Sequence, residues 1–280
     1  GGKPVFVDID KETLCMSIDD LKKKKTSKTV GIIYVHMFGL VPSNFQEIIN
    51  FCDKRNLFLL EDAAHAHGSS YNGKMAGNLG IAGCFSFYAT KVLTSGEGGI
   101  ITTNDKKIYE KIKSLRNHGK SNVSSNYKIV SNNYRMPEIS CTLAIHQLKM
   151  INEILHKRQL IAKEYSSRLK KISGINLLNE FKDNPNCSYW RFPAYIDDAI
   201  DRRILQERMR ENYGIRLTWM YEPLCHKQPV FRDFIEKDLK LLVSESCMEK
   251  LICLPIYPGL EKEDVLRVCD SLGKELSNLI

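Results

Sequence analysis

Residues 30–62 read VGIIYVHMFGLVPSNFQEIINFCDKRNLFLLED, and this stretch decides the fold. Its two apolar ends, 30–36 and 57–62, have the composition of strands that are buried on both faces. Between them, residues 43–56 carry apolar side chains at helical spacing, and Ser43 is the expected N-cap. A strand, a helix and a strand of these lengths predict a βαβ unit in an open, mostly parallel sheet.

The rest of the first half extends this sheet. Further runs of strand-like composition lie at residues 4–9, 83–88 and 98–104. From Pro137 onward the pattern changes, because apolar positions then recur with a helical period as far as residue 172. This stretch predicts one long connecting helix or two. Its apolar stripe fits either a dimer interface or packing on the chain's own sheet, and the pattern does not choose between them.

Beyond residue 173 the pattern mixes strands and helices. Strand-like runs cover 189–196 and 215–220, and helical patterns cover 202–212 and the residues from 262 onward. We therefore predict an α/β fold in three parts. These are a large domain over residues 1–136, connecting helices over 137–172 and a smaller α+β domain over 173–280.

The charge balance favours small anionic ligands over nucleic acid. The 280 residues carry 41 Lys and Arg against 33 Asp and Glu, which gives a formal net charge of +8. These basic residues are spread along the chain, and the only tight run, KKKK at 22–25, has the composition of a solvated helix end. We therefore expect no nucleic-acid partner and a phosphorylated small molecule as the ligand.

The cysteines indicate a reducing compartment. There are nine, at scattered positions and without a Cys-x-x-Cys pair, so neither a disulfide framework nor a zinc site is predicted. No apolar stretch reaches the ~18 residues of a membrane helix, and residues 1–10 lack the layout of a signal peptide. A cytoplasmic protein without a membrane partner or a metal is expected. Because the chain starts without methionine, a fragment or processed product is also expected.

Three chemically useful side chains follow predicted strands of the large sheet. Asp62 ends one strand, His65 comes three residues later, and Lys91 follows the run 83–88. Ligands of open α/β sheets bind beyond the carboxyl edge of the strands, where these residues are expected to meet. A carboxylate there can keep a pyridine nitrogen protonated, and a lysine can condense with an aldehyde. This combination is the one that pyridoxal 5'-phosphate (PLP) requires.

Several ordered motifs resemble one family. The stretches are EDAAHAHG (61–68), FSFYATKVLTSGEGGIITTND (85–105), RNHG (116–119) and NYRMPEISCTLAIHQL (133–148). They are similar to successive motifs of the DegT/DnrJ/EryC1/StrS sugar aminotransferases. The resemblance implies a fold-type-I PLP transferase, like aspartate aminotransferase, with helices flanking the large sheet.

The resemblance also implies roles for individual residues. Lys91 matches the lysine that holds the cofactor covalently, and Asp62 matches the partner of the pyridine nitrogen. His65 matches a contact of the cofactor ring or its 3-hydroxyl, and Ser86 matches a ligand of the phosphate. Asn133 matches an asparagine that reaches the phosphate in a neighbouring subunit, which implies a homodimer with shared active sites.

The resemblance implies a substrate class as well. Arg216 and His226 match positions that face a sugar nucleotide. The implied reaction moves an amino group, from glutamate, to a nucleotide-linked keto-sugar for surface polysaccharide synthesis. GEGG at 96–99 and the block around Trp190 are similar to family members that act at C4 of 4-keto-6-deoxy sugars, such as perosamine synthases.

Two alternatives stay open at this point. Relatives that remove a sugar hydroxyl typically carry His at the lysine position, whereas this chain has Lys91. Residues 1–30 do not contain the Gly-Thr-Ser/Ala type of turn with which family members cradle the phosphate. A truncated, inactive member that acts as a partner or regulator is therefore the second hypothesis.

Overall fold

The structure is a computed structural model, and it describes residues 2–121, 126–236 and 238–279. The helices in chain order are α1 (Ile18–Lys24), α2 (Phe45–Asp53), α3 (Lys106–Leu115), α4 (Glu138–Lys149), α5 (Ile151–Leu169), α6 (Arg202–Tyr213), α7 (Leu242–Lys250) and α8 (Lys262–Leu279). The strands are β1 (Gly31–Val35), β2 (Phe58–Asp62), β3 (Ser70–Tyr71), β4 (Lys74–Met75), β5 (Ala82–Ser86), β6 (Gly99–Thr102), β7 (Ile175–Leu177), β8 (Phe192–Ile196) and β9 (Leu251–Leu254).

The first half forms a four-stranded sheet in the order β1-β2-β5-β6. Strands β1, β2 and β5 are parallel, and β6 runs antiparallel to β5. Val35 pairs with Asp62, and Asp62 pairs with Cys84, so the carboxyl ends of three strands meet at one edge. The predicted mostly parallel α/β sheet is confirmed.

The two faces of this sheet differ in their covering. Ile32, Tyr34 and Leu59 are buried on the face that packs against α2, together with Phe45 and Ile48 of that helix. This packing follows from strand alternation, which sends neighbouring side chains to opposite faces. On the other face, Ile33 is 60% and Ile101 is 46% exposed in the described residues.

The second half is built around an antiparallel sheet in the order β7-β8-β9. Helices α5, α6 and α8 pack around it and bury large side chains such as Tyr165, Phe192 and Leu205. The same apolar cluster includes Phe38 and Val92 from the first half of the chain. A continuous core therefore joins the small sheet to the loops at the carboxyl edge of the large one.

The stretch 137–172 contains two helices, α4 and α5, which meet at Met150. Helix α5 buries Ile154, Ile161 and Tyr165 against the small sheet. Helix α4, in contrast, leaves Ile139 79% exposed, and Leu143, Ile145 and Leu148 are exposed on it as well. The apolar stripe therefore divides, since α5 packs on the chain's own core and α4 does not. No helix among the described residues is long and apolar enough to cross a membrane.

The prediction of a strand at residues 4–9 is wrong. This segment forms one bridge, between Ile9 and Met16, and no ladder. Instead, the carboxylate of Asp8 accepts hydrogen bonds from the backbone N–H groups of Val243 and Ser244, at 2.9 and 2.8 Å. The segment is held at the start of α7 by a side chain, because there it meets a helix end rather than a strand edge.

Two smaller predictions are also corrected. The run 215–220 forms only a bridge between Thr218 and Cys253, because it meets β9 at a single point and a ladder requires consecutive pairings. Helix α2 begins after Asn44, which makes no side-chain capping bond. Ser43 is not the cap, because Asn44 occupies the N-cap position and the Ser43 hydroxyl donates to the Glu180 carboxylate instead.

Candidate active site

The loop between β5 and β6 presents Lys91 at the carboxyl edge of the large sheet. The backbone N–H of Lys91 donates to the Tyr88 carbonyl at 2.9 Å, and that of Ser95 donates to the Phe87 carbonyl at 3.0 Å. Trp190 closes the loop from the other side, because its Nε1–H donates to the Thr90 carbonyl at 2.6 Å. These bonds connect the loop to both halves of the protein and fix the backbone at Lys91.

The Lys91 side chain is half-buried and has no hydrogen-bond acceptor or ion-pair partner among the described residues. Its Nζ lies 4.3 Å from the centroid of the Trp190 ring, a cation–π contact. Burial lowers the pKa of Lys91, the charge of Asp62 raises it, and the charge of Arg191 lowers it, with a net shift downward. A neutral, nucleophilic amine is therefore more accessible here than at a solvated lysine.

His65 stacks on the ring of Trp190, which also contacts Lys91. Its ring lies 3.7 Å from the Trp190 ring, and its Nε2 lies 3.1 Å from the Tyr221 hydroxyl. Burial, followed by the charge of Lys91, lowers the pKa of His65 to about 3. His65 is therefore a neutral imidazole at physiological pH, and its buried Nδ1 has no hydrogen-bond partner in the described part of the chain.

Two oxygen-bearing side chains complete the edge. One oxygen of Asp62 accepts from the Ala64 N–H at 3.1 Å, while the other accepts no hydrogen bond in the described residues. The Ser86 hydroxyl, at the end of β5, accepts from the Tyr88 N–H at 3.2 Å and keeps its own hydrogen free to donate. The site thus offers one free carboxylate oxygen, one hydroxyl donor and one amine.

A buried polar cluster fixes the end of β2 from the opposite face. Glu61 is fully buried, and its Oε2 lies 2.9 Å from His36 Nε2. Its carboxylate also accepts hydrogen bonds from the backbone N–H groups of Gly77, Leu79 and Gly80, each at 2.7 Å. The backbone N–H of His36 donates to the backbone carbonyl of Asp62 at 3.1 Å. Burial alone would raise the pKa of Glu61, but these hydrogen bonds and His36 lower it. Glu61 therefore stays ionised and holds strand ends and loop together.

The remaining sequence candidates lie elsewhere. Asn133 is exposed, and its Oδ1 accepts from the Arg135 N–H at 3.1 Å. Arg216 is exposed after α6 and shares no hydrogen bond or ion pair with Lys91 in the described residues. His226 is buried, with Nε2 3.1 Å from Glu245 Oε1. It lines an apolar cavity of about 330 Å³ whose wall also includes Tyr221. Asp62 and His65 therefore lie within electrostatic reach of Lys91, and Ser86 follows Cys84, the strand partner of Asp62, by two residues. No such link to Lys91 is present for Asn133 or Arg216 among the described residues.

Three residues of the site were missed at the sequence level. Arg191 lies with its guanidinium carbon 4.9 Å from the centroid of the Trp190 ring. His67 is buried between the rings of Phe85 and Phe87, and burial, with the charge of Lys91, lowers its pKa to about 4. The alternation His-x-His at 65–67 could have indicated His67, whereas Tyr221 lies too far along the chain to leave a local signal.

Comparisons with known proteins agree on one family. The model of the DegT/DnrJ/EryC1/StrS aminotransferase family matches residues 1–273. An uncharacterized protein of Methanocaldococcus jannaschii is 36% identical, over 98% of this chain and 74% of that protein. A GDP-perosamine synthase of Escherichia coli O157:H7 is 32% identical, over 99% of this chain and 74% of that protein.

Solved structures lead to the same result. Helicobacter pylori PseC, an aminotransferase of pseudaminic acid biosynthesis, superposes with a TM-score of 0.89 and 27% identity, over 98% of this chain and 74% of that one. The aminotransferase TlmJ from Streptoalloteichus hindustanus superposes with a TM-score of 0.90 and 26% identity. The match covers 99% of this chain and 74% of that one. The chain therefore belongs to the DegT/DnrJ/EryC1/StrS aminotransferase family and is a PLP-dependent sugar aminotransferase.

Proposed function

We propose that this enzyme transfers an amino group from glutamate to C4 of a nucleotide-linked 4-keto-6-deoxy sugar, as a perosamine synthase does. Relatives named GDP-perosamine synthase in Escherichia coli and Vibrio cholerae are 32% and 31% identical. A Saccharopolyspora spinosa relative named dTDP-4-dehydro-2,3,6-trideoxy-D-glucose 4-aminotransferase is 28% identical. All three names specify a nucleotide-linked sugar, and two different nucleotides occur among them. The shared class supports the proposal, and the nucleotide is left to experiment.

A role in surface polysaccharide synthesis is part of the proposal. A Bacillus subtilis relative, 30% identical, is named spore coat polysaccharide biosynthesis protein SpsC. The nine cysteines are all free in the structure, which suits a cytoplasmic location for this step.

The residues present fit PLP. The site combines an unpaired amine (Lys91), a free carboxylate oxygen (Asp62), a hydroxyl donor (Ser86) and a buried imidazole nitrogen without a partner (His65). An aldehyde, a pyridine nitrogen, a phosphate and a phenolic oxygen are the complementary groups. Bound PLP supplies the aldehyde that takes up the amino group and the electron sink that makes the donor's α-hydrogen acidic.

Each side chain then has a separate task. Lys91, as a neutral amine, would hold the cofactor and would accept the proton of the donor's α-carbon on its Nζ. The Asp62 carboxylate holds a proton on the pyridine nitrogen by its charge, and the Ser86 hydroxyl donates to the phosphate. His65 and Trp190 exclude water beside Lys91, because their stacked rings are buried.

The observation that carries this proposal is the half-buried, unpartnered amine of Lys91 beside Trp190. The first experiment adds PLP to the purified protein, records the absorbance, reduces with borohydride and maps the labelled peptide. We expect the label on Lys91, its loss in Lys91→Ala, and its retention in the control Lys157→Ala on exposed α5 surface. A separate, unreduced sample of the PLP-loaded enzyme should then change its absorbance with L-glutamate before nucleotide-linked keto-sugars are tested. A label at another lysine would contradict the proposal.

We further propose that the enzyme is a homodimer whose partner completes the site. Asn133 and the neighbouring Tyr134 are exposed, and the apolar face of α4, which follows them, is exposed too. A second copy of the chain suits this surface, because an isologous contact would bury the α4 face and bring Asn133 to the other subunit. Asn133 would then donate to the cofactor phosphate across the interface.

A second candidate is a regulator without catalysis. A Geobacillus stearothermophilus relative, 32% identical, is named pleiotropic regulatory protein. The labelling experiment separates the two functions, because a regulator with a vestigial site would not attach PLP to Lys91 in any form of the protein.

A further inference from the structure

Three donors hold the carboxylate of Glu222. Its Oε2 accepts from Arg202 Nη2 at 2.9 Å and from the Trp219 Nε1–H at 2.8 Å. Its Oε1 accepts from Arg203 Nη2 at 2.8 Å. The guanidinium carbon of Arg202 also lies 4.2 Å from the centroid of the Trp219 ring, a cation–π contact. This cluster fastens residues 219–222 to the first turn of α6.

Arg202 makes this cluster an anchor rather than a surface ion pair. Its side chain is 7% exposed, and its Nη1 donates to the Met248 carbonyl of α7. Burial lowers the pKa of Arg202, and the charge of Glu222 opposes this shift. A cation that is removed from water needs an opposite charge, so Arg202 holds Glu222 in place. Arg203 is 67% exposed, and its bond to the carboxylate contributes little in comparison.

Tyr221 precedes Glu222 in the chain and reaches the candidate active site. Its hydroxyl lies 3.1 Å from His65 Nε2, and the planes of the two rings differ by 16°. Partial burial, followed by the charge of Asp62, raises the pKa of Tyr221, so the hydroxyl keeps its proton. Tyr221 is nevertheless 44% exposed, and packing by itself does not restrict its side chain to one position. The anchored neighbour Glu222 fixes the backbone from which Tyr221 extends.

We propose that Glu222 is a positioning residue of the active site, which acts on His65 through Tyr221. The inference rests on the proposed roles of the site residues and adds to them a link to α6. Without the Glu222 carboxylate, the backbone at Tyr221 loses its attachment to Arg202, and the Tyr221 hydroxyl is free to leave His65. His65 then lacks the hydrogen bond that orients its imidazole. Loss of Glu222 therefore acts on the cofactor site in the same way as loss of the Tyr221 hydroxyl.

The test is a double-mutant cycle on the PLP affinity of the full chain, measured by absorbance titration. The cycle consists of wild type, Glu222→Ala, Tyr221→Phe and the double variant. We expect Glu222→Ala to raise the dissociation constant of PLP by about threefold to fivefold, the effect of a weakened hydrogen bond. In the Tyr221→Phe background the same change should add less than about 1.5-fold, because the hydrogen bond through which Glu222 acts is already absent. The control Glu211→Ala, which removes an exposed partner of Arg210 on α6, should bind PLP like wild type.

Two further measurements separate positioning from folding. Glu222→Gln keeps an oxygen acceptor at the same place, so it should retain more PLP affinity than Glu222→Ala, and urea unfolding confirms that each variant is folded. If Glu222→Ala fails to fold, the same cycle with Glu222→Gln decides.

The outcomes distinguish the inference from the proposed function. An equal loss of PLP affinity with and without the Tyr221 hydroxyl would assign Glu222 a structural role and overturn the inference. Wild-type affinity in Glu222→Ala would overturn it as well, and both results leave the proposed function intact. Failure of the wild type to attach PLP to Lys91 would overturn the proposed function and the inference with it.

Discussion

Lys91 is a half-buried amine whose surroundings act on its pKa in opposite directions. Burial and Arg191 lower the pKa and Asp62 raises it, and the lowering prevails. The residue type alone gives a solvated lysine with a pKa near 10.5. Its nucleophilicity is therefore a product of the neighbours that the fold supplies.

We predict that Lys91 in the cofactor-free protein titrates below an ordinary lysine, and that Arg191→Gln raises its pKa because a positive neighbour is lost. Competitive acetylation across a pH series, read by mass spectrometry of the Lys91 peptide, measures this. Exposed Lys157 serves as the internal control. An unchanged Lys91 titration in Arg191→Gln would show that the two charges do not interact.

Tyr221 positions His65 through a hydrogen bond that only tertiary structure creates. We predict that Tyr221→Phe weakens PLP binding by about fivefold to tenfold, as expected for the loss of one hydrogen bond of about 1 kcal/mol. Absorbance titration with PLP measures the effect. Tyr195→Phe is the matched control, since its hydroxyl donates to the Lys11 carbonyl rather than to a residue of the site. Equal affinities of both variants would contradict the role of Tyr221.

At the scale of elements, helix α7 depends on a cap that comes from the other end of the chain. The Asp8 carboxylate accepts from the N–H groups of Val243 and Ser244 and from the Ser244 hydroxyl. Burial alone would raise the pKa of Asp8, but the hydrogen bonds from Ser244 and Val243 lower it. Asp8 therefore replaces the local N-cap, because Leu241 at that position has no side-chain acceptor.

We predict that Asp8→Ala lowers the free energy of unfolding by about 1–2 kcal/mol, the usual value of an N-cap. Since the folded pKa of Asp8 is lowered, this contribution is present above its unfolded pKa and disappears as the pH falls through the folded value. Urea unfolding at neutral and acidic pH measures both effects. Asp19→Ala, at the exposed start of α1, should change little at either pH.

At the scale of the whole molecule, buried histidines link stability to pH. The pKa values of His65 and His67 are lowered to about 3 and about 4, mainly by burial, against 6.5 for an ordinary histidine. The unfolded chain therefore binds more protons between these values, and stability falls as the pH drops below 6.5. Each of these two histidines should lower the free energy of unfolding by about 2 kcal/mol as the pH falls from 6.5 to 5.

We predict that His67→Gln makes unfolding less dependent on pH over that interval by about 2 kcal/mol. The measurement compares urea unfolding of wild type, His67→Gln and the exposed control His156→Gln at both pH values. The same pH dependence in His67→Gln and wild type would refute the assignment.

The exposed face of α4 gives a prediction about assembly. Ile139→Glu should convert the proposed dimer to a monomer, because a charge would be buried without a partner in the interface. Leu160→Glu on α5, at a site that is also exposed, should remain dimeric. Sedimentation velocity measures the oligomeric state of both variants. A dimer that tolerates Ile139→Glu would place the interface elsewhere.

The amino-acid sequence by itself determined the elements with strong local signals and the motifs that follow them. Alternating and helical apolar patterns located β1, α2 and β2, and they located α4 and α5, because local burial on one or both faces imposes a period on the residues. The motifs around Asp62, Ser86 and Lys91 identified the family and the cofactor. Apolar composition alone misled at residues 4–9, which form a single bridge and no ladder.

Only the tertiary structure decided which distant side chains join these motifs. Trp190 is joined to the Lys91 loop, Tyr221 to His65 and Asp8 to α7 by contacts across both halves of the chain. It also decided that α5 is buried and α4 is not. Such contacts depend on how the two sheets pack on a common core, and no local pattern of residues records the distance between segments so far apart in the chain.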